Sequence, residues 1–121
     1  MVMKYYIGDI MQELFNDLIT KFNERIKTDP KLAKEMEGVE RTIMIDITDG
    51  SKYYTILKNN HADVIKEGSI DEPDILISAT EATFRGLINK EISPIKAFLI
   101  TKQLKVKASL EDKLRLRKFF E

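Results

Sequence analysis

The second half of the chain places a strand, two short apolar helices and a further strand in direct succession. The phrase Gly-Ser-Ile-Asp-Glu-Pro-Asp at 68–74 leads into a strand over 74–79, where apolar residues fall on both faces. Such a strand is typical of the interior of a sheet, because both of its faces need cover. Helices are then predicted to begin at Thr80 and at Ser93, both favoured N-cap residues, and a strand follows over 104–108. The second half of the chain is therefore predicted to contain both a sheet and helices.

Two helices are predicted at the start of the chain. Segment 9–27 has apolar residues at helical spacing and charged residues on its other side, which indicates an amphipathic helix of about five turns. Asp29 precedes Pro30, so a capping side chain stands before a proline at the first helical position, and a short helix is predicted over 31–36, ended by Gly38. The apolar stripe of the long helix consists of Ile10, Leu14, Leu18, Phe22 and Ile26, widened by Met11, Phe15 and Ile19.

A meander of three antiparallel strands is predicted next. Residues 41–48 alternate, with Ile43, Ile45 and Ile47 on one face, as a half-buried strand requires. The turn residues Asp49-Gly50 lead to a strand over 53–58, and Asn59-Asn60-His61 lead to a third strand over 62–67.

The end of the chain is predicted to be a helix capped by Ser109. Asp112 stands where a capping box would have Glu or Gln, and Leu110, Leu114 and Phe120 are predicted to form the inner line of this helix. In the preceding strand, Leu104 and Val106 are expected to point inward. The order of elements is therefore ααβββ then βααβα, which indicates an α+β fold.

Composition excludes several classes of protein. The chain has 121 residues, which predicts a single domain over 1–121, and it has no cysteine for disulfides or thiolate metal sites. Twenty basic and twenty acidic residues cancel, so the overall charge gives no indication of nucleic-acid binding. The first residues lack the apolar run of a signal peptide, and no stretch approaches the ~20 apolar residues that cross a bilayer. We therefore expect a soluble, cytoplasmic protein.

The sequence contains no recognisable catalytic motif. His61 is the only histidine and stands in a predicted turn near Asp63, and there is neither a Gly-x-Ser-x-Gly phrase nor a recognisable metal-ligand spacing. The five glycines are dispersed, so no phosphate-binding loop is present. We expect no enzymatic activity, no catalytic residue, no metal site and no cofactor.

The two helices after the central strand are more apolar than one buried stripe needs. They can contact the sheet with one side and line a cavity, a membrane or a partner protein with the other, or all of these side chains can fill an ordinary core. A cavity in the usual range of ~300–1,000 Å³ would take a fatty-acyl chain or a polycyclic lipid. The residues concerned are Phe84, Leu87, Ile88, Ile92, Ile95, Ala97, Phe98 and Leu99.

Basic residues are concentrated from Lys102 to Lys118, against only Glu111 and Asp112, and Phe119-Phe120 follow. Such a stretch can make transient contact with an anionic membrane surface, where each cation contributes about 1 kcal/mol, with the phenylalanines as a wedge or as a lid. The other interpretation is a solvated strand face followed by a helix end whose cations complement the helix dipole.

The ordered set of these features resembles the sterol carrier protein two (sterol-binding) domain family over essentially the whole chain. The resemblance rests on Phe22-Asn-Glu-Arg-Ile with Asp29-Pro30, the Asp49-Gly50 hairpin, and segments 68–77, 81–87, 94–99 and 104–110. It implies a five-stranded, mostly antiparallel sheet with about five helices packed on one face and a lipid in an apolar tunnel between sheet and helices. Members usually carry glycines around the last strand, whereas this chain has Lys102, Gln103 and Ala108 there.

We therefore predict non-catalytic binding and carriage of a hydrophobic lipid (fatty acyl, isoprenoid or sterol-like). The alternative is a protein-interaction or dimerisation module, such as a homodimer, that keeps the fold without an open tunnel. Expected partners are a small-molecule lipid and a membrane surface, and no nucleic acid. The predicted lipid-binding residues are Phe22, Ile45, Ile47, Ile77, Phe84, Leu87, Ile88, Ile95, Phe98, Leu99, Phe119 and Phe120.

Overall fold

The computed structural model describes residues 2–120, and their side chains from residue 10 onward. Helix α1 spans Val2–Thr28 and α2 spans Pro30–Met36, and they precede the strands β1 (Arg41–Ile47), β2 (Lys52–Lys58), β3 (His61–Ala62), β4 (Lys66–Glu67) and β5 (Ile75–Ala79). Helix α3 (Glu81–Ile88), a π-helical segment (Lys96–Ile100), β6 (Lys105–Lys107) and α4 (Leu110–Phe120) complete the chain. The predicted α+β class is confirmed, and the helices and strands follow the predicted order except that the third strand is divided in two.

The sheet is mixed but mostly antiparallel. Its strands lie in the order β3-β2-β1-β5-β6, and β4 also pairs with β2. Among the described strands only β1 and β5 run parallel, with Ile45 opposite Ile77, whereas β1–β2 and β5–β6 are antiparallel. Strand β5 thus lies between β1 and β6, in the interior position that its two apolar faces predicted. Strand β6 ends this order and carries one side of the site described below.

The predicted third strand is present as two short pieces, β3 and β4. Side-chain amides of α1 bind the backbone between them: Asn16 Oδ1 accepts from Ile65 N at 2.7 Å, and Gln12 Nε2 donates to Ile65 O at 3.2 Å. Asn23 binds both backbone groups of Ala62, at 2.8 and 2.9 Å. The continuous strand over 62–67 was therefore wrong, because the helix supplies hydrogen bonds that a strand partner would otherwise supply.

The long helix packs its apolar stripe on the sheet, but the stripe is rotated from its predicted centre. Met11 and Phe15, predicted as its margin, are 2% and 1% exposed, while Ile10 is 38% exposed. Phe15 meets Phe84 edge to face, with ring centroids 5.4 Å apart, and lies 5.9 Å from Tyr53. Side chains of this size stabilise a fold by about 1.5–3 kcal/mol each when fully buried.

The predicted helix starts are confirmed at three caps. Asp29 accepts hydrogen bonds from the backbone of Lys31 and Leu32, Thr80 Oγ1 accepts from Thr83 N at 3.2 Å, and Ser109 Oγ accepts from Asp112 N at 3.2 Å. These bonds satisfy amides that have no partner inside their own helix.

The inner line predicted for the last helix was wrong in part. Leu110 and Leu114 are 73% and 66% exposed, whereas Leu116, Phe119 and Phe120 are buried. Phe119 packs on Phe22 of α1, with ring centroids 5.0 Å apart, and this contact orients the helix. Residues three or four apart share one helix face, so Leu116, Phe119 and Phe120 turn inward together and leave Leu110 and Leu114 on another side.

Candidate functional site

A half-open apolar cavity of about 300 Å³ lies beside the edge of the sheet, between the π-helical segment, β6 and α4. Its walls come from the π-helical segment and the two residues before it, from the strand edge, and from one side of α4. The lining residues are Pro94, Ile95, Phe98, Leu99, Leu104, Val106, Leu110, Lys113, Leu114, Leu116, Arg117 and Phe120.

The opening of the cavity is formed by apolar side chains that also face solvent. Ile95, Leu99, Leu110 and Leu114 line the cavity and are nevertheless 46–73% exposed. We call these four residues the cavity rim. The deeper wall contains Leu104, Leu116 and Phe120, which are at most 7% exposed.

Two cations stand in this otherwise apolar wall. Lys113 and Arg117 lie one helical turn apart on α4, and Lys113 Nζ lies 5.8 Å from the centroid of the Phe98 ring. No carboxylate of the described residues forms an ion pair with either cation. The site therefore combines apolar depth with positive charge, which suits an amphiphile with an anionic end.

The geometry follows from local sequence. Alternation along β6 places Val106 on the cavity side, while Lys105 and Lys107 point to the other face. Thr101 N donates to Lys96 O at 2.9 Å, a bond between residues five apart that makes this turn π-helical, and Leu104 N donates to Ala97 O at 3.0 Å. These bonds bring the turn back against the strand that follows it.

An ion-pair network fixes α4 against the sheet. Asp112 is 4% exposed and accepts from Arg41 Nε of β1 and from Arg115, both at 2.8 Å. Burial alone would raise the pKa of Asp112, but hydrogen bonds from Arg41 and Ser109 and the positive charge of Arg41 hold that pKa below its ordinary value. The same pairing, above all the hydrogen bond to Asp112, raises the pKa of Arg41. The helix that carries the cavity wall is thus held by charged groups rather than by packing alone.

The structure brings together four of the twelve predicted site residues. Ile95, Phe98, Leu99 and Phe120 line the cavity. Phe22 and Phe119 instead line a gap of about 20 Å³ beside Asp112. The others lie in the core or against it: Ile45, Ile47, Ile77, Phe84 and Leu87 are at most 2% exposed, and Ile88 packs against them. Phe120 is buried in the wall and is therefore no outer lid.

Sequence reasoning missed most of the wall that α4 provides. Leu110 and Leu114 were assigned to the core, and Lys113 and Arg117 were counted only within a basic stretch. The missed signal is that both pairs repeat at a spacing of four, so that a mixed apolar and basic face runs along one side of the helix. Pro94, Leu104, Val106 and Leu116 are the other lining residues outside the predicted set.

Lys102, in the turn before β6, has an unusual backbone conformation. Lys102 has a φ of 60°, in the left-handed region that favours glycine. The turn before the last strand therefore has a backbone conformation that glycine adopts most easily.

Residues 2–120 contain neither a candidate membrane-spanning helix nor a candidate metal-binding group. No helix in this part of the chain has both the length and the apolar character needed to cross a membrane. Within the same residues, no three His, Cys, Asp or Glu side chains are grouped so that they could hold a metal ion.

Solved structures show the same fold at low sequence identity. Sterol carrier protein 2 from Yarrowia lipolytica in its apo form superposes with a TM-score of 0.59 at 16% identity, covering 95% of this chain and 90% of that one. Palmitated SCP2L2 from Aedes aegypti gives 0.58 at 16% identity, covering 86% and 91%. The sec-alkylsulfatase Pisa1 from Pseudomonas sp. gives 0.57 at 17% identity over 72% of this chain, which spans only 13% of the sulfatase.

Sequence comparison gives the family directly. A search of curated proteins finds no match to this sequence. The sequence model of the SCP-2 sterol transfer family, in contrast, matches residues 19–121. That range contains all six strands, α2 to α4 and every residue that lines the cavity. The chain belongs to the SCP-2 sterol transfer family.

Proposed function

We propose that the chain, as one cytoplasmic domain over 1–121, binds a hydrophobic lipid in the cavity beside β6 and carries it without changing its bonds. The observation that carries this proposal is the half-open apolar cavity whose wall contains Lys113 and Arg117, two cations that form no ion pair with a described carboxylate. The sterol transfer family and the palmitate named for the Aedes aegypti neighbour support a lipid ligand.

The volume of the cavity favours a flexible chain as the ligand. About 300 Å³ is at the lower end of the range for small-molecule sites. A fatty-acyl or isoprenoid chain can fill this space with one part and leave through the opening with the rest. A rigid sterol ring system needs its whole volume inside at once. We therefore favour an acyl or isoprenoid lipid over a sterol.

Binding is driven by apolar surface removed from water, at roughly 25 cal/mol per Å² before the cost of immobilising the ligand. Phe98 and the cavity rim supply this surface. Lys113 and Arg117 then provide charge-assisted hydrogen bonds for a carboxylate or phosphate head group. In this proposal the head group lies near the opening and the hydrocarbon chain lies against the deeper wall.

The deciding experiment measures uptake of a fluorescent fatty acid by Leu114→Asp. Leu114 lines the cavity at 66% exposure, so a charge there is tolerated by the fold but opposes an apolar ligand. The matched control is Val64→Asp, because Val64 is 65% exposed and lies between β3 and β4, away from the cavity. We expect at least tenfold weaker uptake for the first variant and unchanged uptake for the second. Equal uptake by both folded variants would remove the cavity from the binding site.

The alternative function, a dimerisation module, is favoured by the exposure of the rim. A two-fold dimer through this face would, however, place Lys113 and Arg117 of one copy near the same cations of the other. Sedimentation equilibrium tests it: a concentration-dependent dimer that Leu114→Asp dissociates, together with no lipid uptake by the unaltered chain, would favour this second function.

A further inference from the structure

The exposed apolar side chains of this protein are concentrated on one surface. Among the described residues, the other large apolar side chains that are exposed are Ile10, Ile56 and Val64, and they lie in different parts of the chain. The cavity rim, in contrast, brings four together, and Ile100 follows directly at 69% exposure. Single exposed apolar residues are ordinary, whereas a contiguous group of them marks an interaction surface.

Positive charge accompanies this surface. Lys113 and Arg117 line the opening, Lys96 stands exposed beside Ile95, and Lys102 stands exposed two residues after Ile100. No described carboxylate pairs with any of the four. The chain as a whole has a formal charge of zero, so this is a local excess.

The acidic residues of α4 do not cancel this charge. Glu111 and Asp112 both pair with Arg115, at 3.6 and 2.8 Å. Lys113 and Arg117 occupy another side of the helix, one turn apart, with the apolar rim residue Leu114 between them. Both carboxylates thus lie with Arg115 on a different side of the helix from Lys113 and Arg117, and the side that carries the opening is basic.

We propose that the cavity rim, with Ile100 and these four cations, docks on the surface of an anionic lipid bilayer. Apolar side chains enter the boundary between head groups and acyl chains, while the cations meet lipid phosphates and carboxylates. A second copy of this chain is a poorer occupant, because an isologous contact sets like charges against each other. The inference rests on the proposed function in one respect: docking in this orientation opens the cavity toward the membrane, so a lipid passes without crossing water.

The test measures binding to vesicles of phosphatidylcholine with and without phosphatidylserine, by flotation. The variants are Ile100→Asp and the pair Lys96→Gln with Lys102→Gln, none of which lines the cavity. The matched control pair is Lys34→Gln with Lys58→Gln, since Lys58 lies on β2, toward the opposite edge of the sheet, and Lys34 lies on α2. All four lysines are exposed, so the two pairs change charge equally.

We expect the unaltered chain to bind phosphatidylserine vesicles, more weakly as salt rises, and to bind pure phosphatidylcholine poorly. Loss of the charge of Lys96 or of Lys102 should each weaken binding about fivefold, which corresponds to about 1 kcal/mol per cation. Ile100→Asp should weaken binding at least as much, and the control pair should have less effect than the pair Lys96→Gln with Lys102→Gln. Three results would overturn the proposal. They are an equal loss of vesicle binding in both lysine pairs, binding that does not depend on salt or on phosphatidylserine, and no binding by the unaltered chain.

Fatty-acid uptake measured on the same variants separates this inference from the proposed function. Retained uptake with lost docking in Ile100→Asp supports the docking surface. Uptake by the unaltered chain with no vesicle binding overturns docking and leaves the lipid site intact. Vesicle binding without any lipid uptake supports the surface and counts against the carrier function.

Discussion

Arg41 Nε donates a hydrogen bond of 2.8 Å to Oδ2 of Asp112 and so ties the first strand to the last helix. The two residues are 71 positions apart in the chain, and Asp112 also accepts from Arg115. Because α4 carries about half of the cavity wall, this contact joins the stability of the fold to the shape of the site.

Replacing Asp112 with alanine should lower the free energy of unfolding by about 1.5–3 kcal/mol, the usual contribution of hydrogen bonds to charged groups. The expected loss is moderate because the Arg41 and Arg115 side chains are 30% and 29% exposed and can regain water. Urea denaturation measures it. Glu111→Ala is the matched control, since that carboxylate is 80% exposed, and it should change stability by less than ~0.5 kcal/mol.

The lowered pKa of Asp112 predicts acid sensitivity. Its pKa in the folded chain lies below the unfolded value of about 3.9, so the pair contributes stability that is present above about pH 4. That contribution is lost as pH falls through the folded pKa. We expect the stability difference between the unaltered chain and Asp112→Asn to shrink below about pH 4, measured by denaturation across pH. A difference that stays constant or grows toward low pH would contradict this assignment.

Phe84 and Phe98 were both predicted to bind lipid, but they lie in different surroundings. Phe84 is fully buried and contacts Phe15, so Phe84→Ala should cost about 3–5 kcal/mol of stability. Phe98 is partly exposed and lines the cavity, so Phe98→Ala should cost less than ~2 kcal/mol yet weaken fatty-acid uptake. Thermal unfolding and uptake on the same samples check this. A larger loss of stability in Phe98→Ala than in Phe84→Ala would contradict the placement of Phe84 in the core and Phe98 in the cavity wall.

Lys113 and Arg117 should distinguish lipids by their head groups. Replacing both with glutamine should weaken binding of a fatty acid roughly tenfold or more, which corresponds to the ~1.5 kcal/mol or more of a charge-assisted hydrogen bond. Binding of the alcohol with the same chain length should change little, because it offers no negative charge. Competition against a fluorescent probe measures both. Equal losses for acid and alcohol would mean that the two side chains contribute packing and not charge recognition.

Asn23 should protect the interrupted edge of the sheet. Its amide binds both N and O of Ala62, so Asn23→Ala leaves two backbone groups without this partner and should cost about 2 kcal/mol. Hydrogen exchange of the Ala62 amide should quicken, with the amide of Val106 on the far strand as internal reference. Unchanged exchange at Ala62 would indicate that the sheet alone protects this amide.

Most secondary structure was predictable because it depends on short-range rules. The caps at Asp29, Thr80 and Ser109 and the interior position of β5 all follow from residues within a few positions of one another. The break between β3 and β4 was not predictable, since it depends on amides of α1 about 40–50 positions away. The alternation of apolar and polar residues describes one strand by itself. It carries no information about distant side chains that form hydrogen bonds with the backbone in place of a neighbouring strand.

The site shows the same division. The sequence by itself determined that helices after β5 carry more apolar residues than one stripe needs, and that the C-terminal stretch is basic. Only the tertiary structure decided that Phe84 and Leu87 fill the core while Phe98, Leu99 and one face of α4 line a cavity. The physical reason is that apolar residues show the same spacing in the sequence whether their side chains face a packed neighbour or an open cavity. The rotation of α4, set by Phe119 against Phe22 and by Asp112 with Arg41, makes that choice.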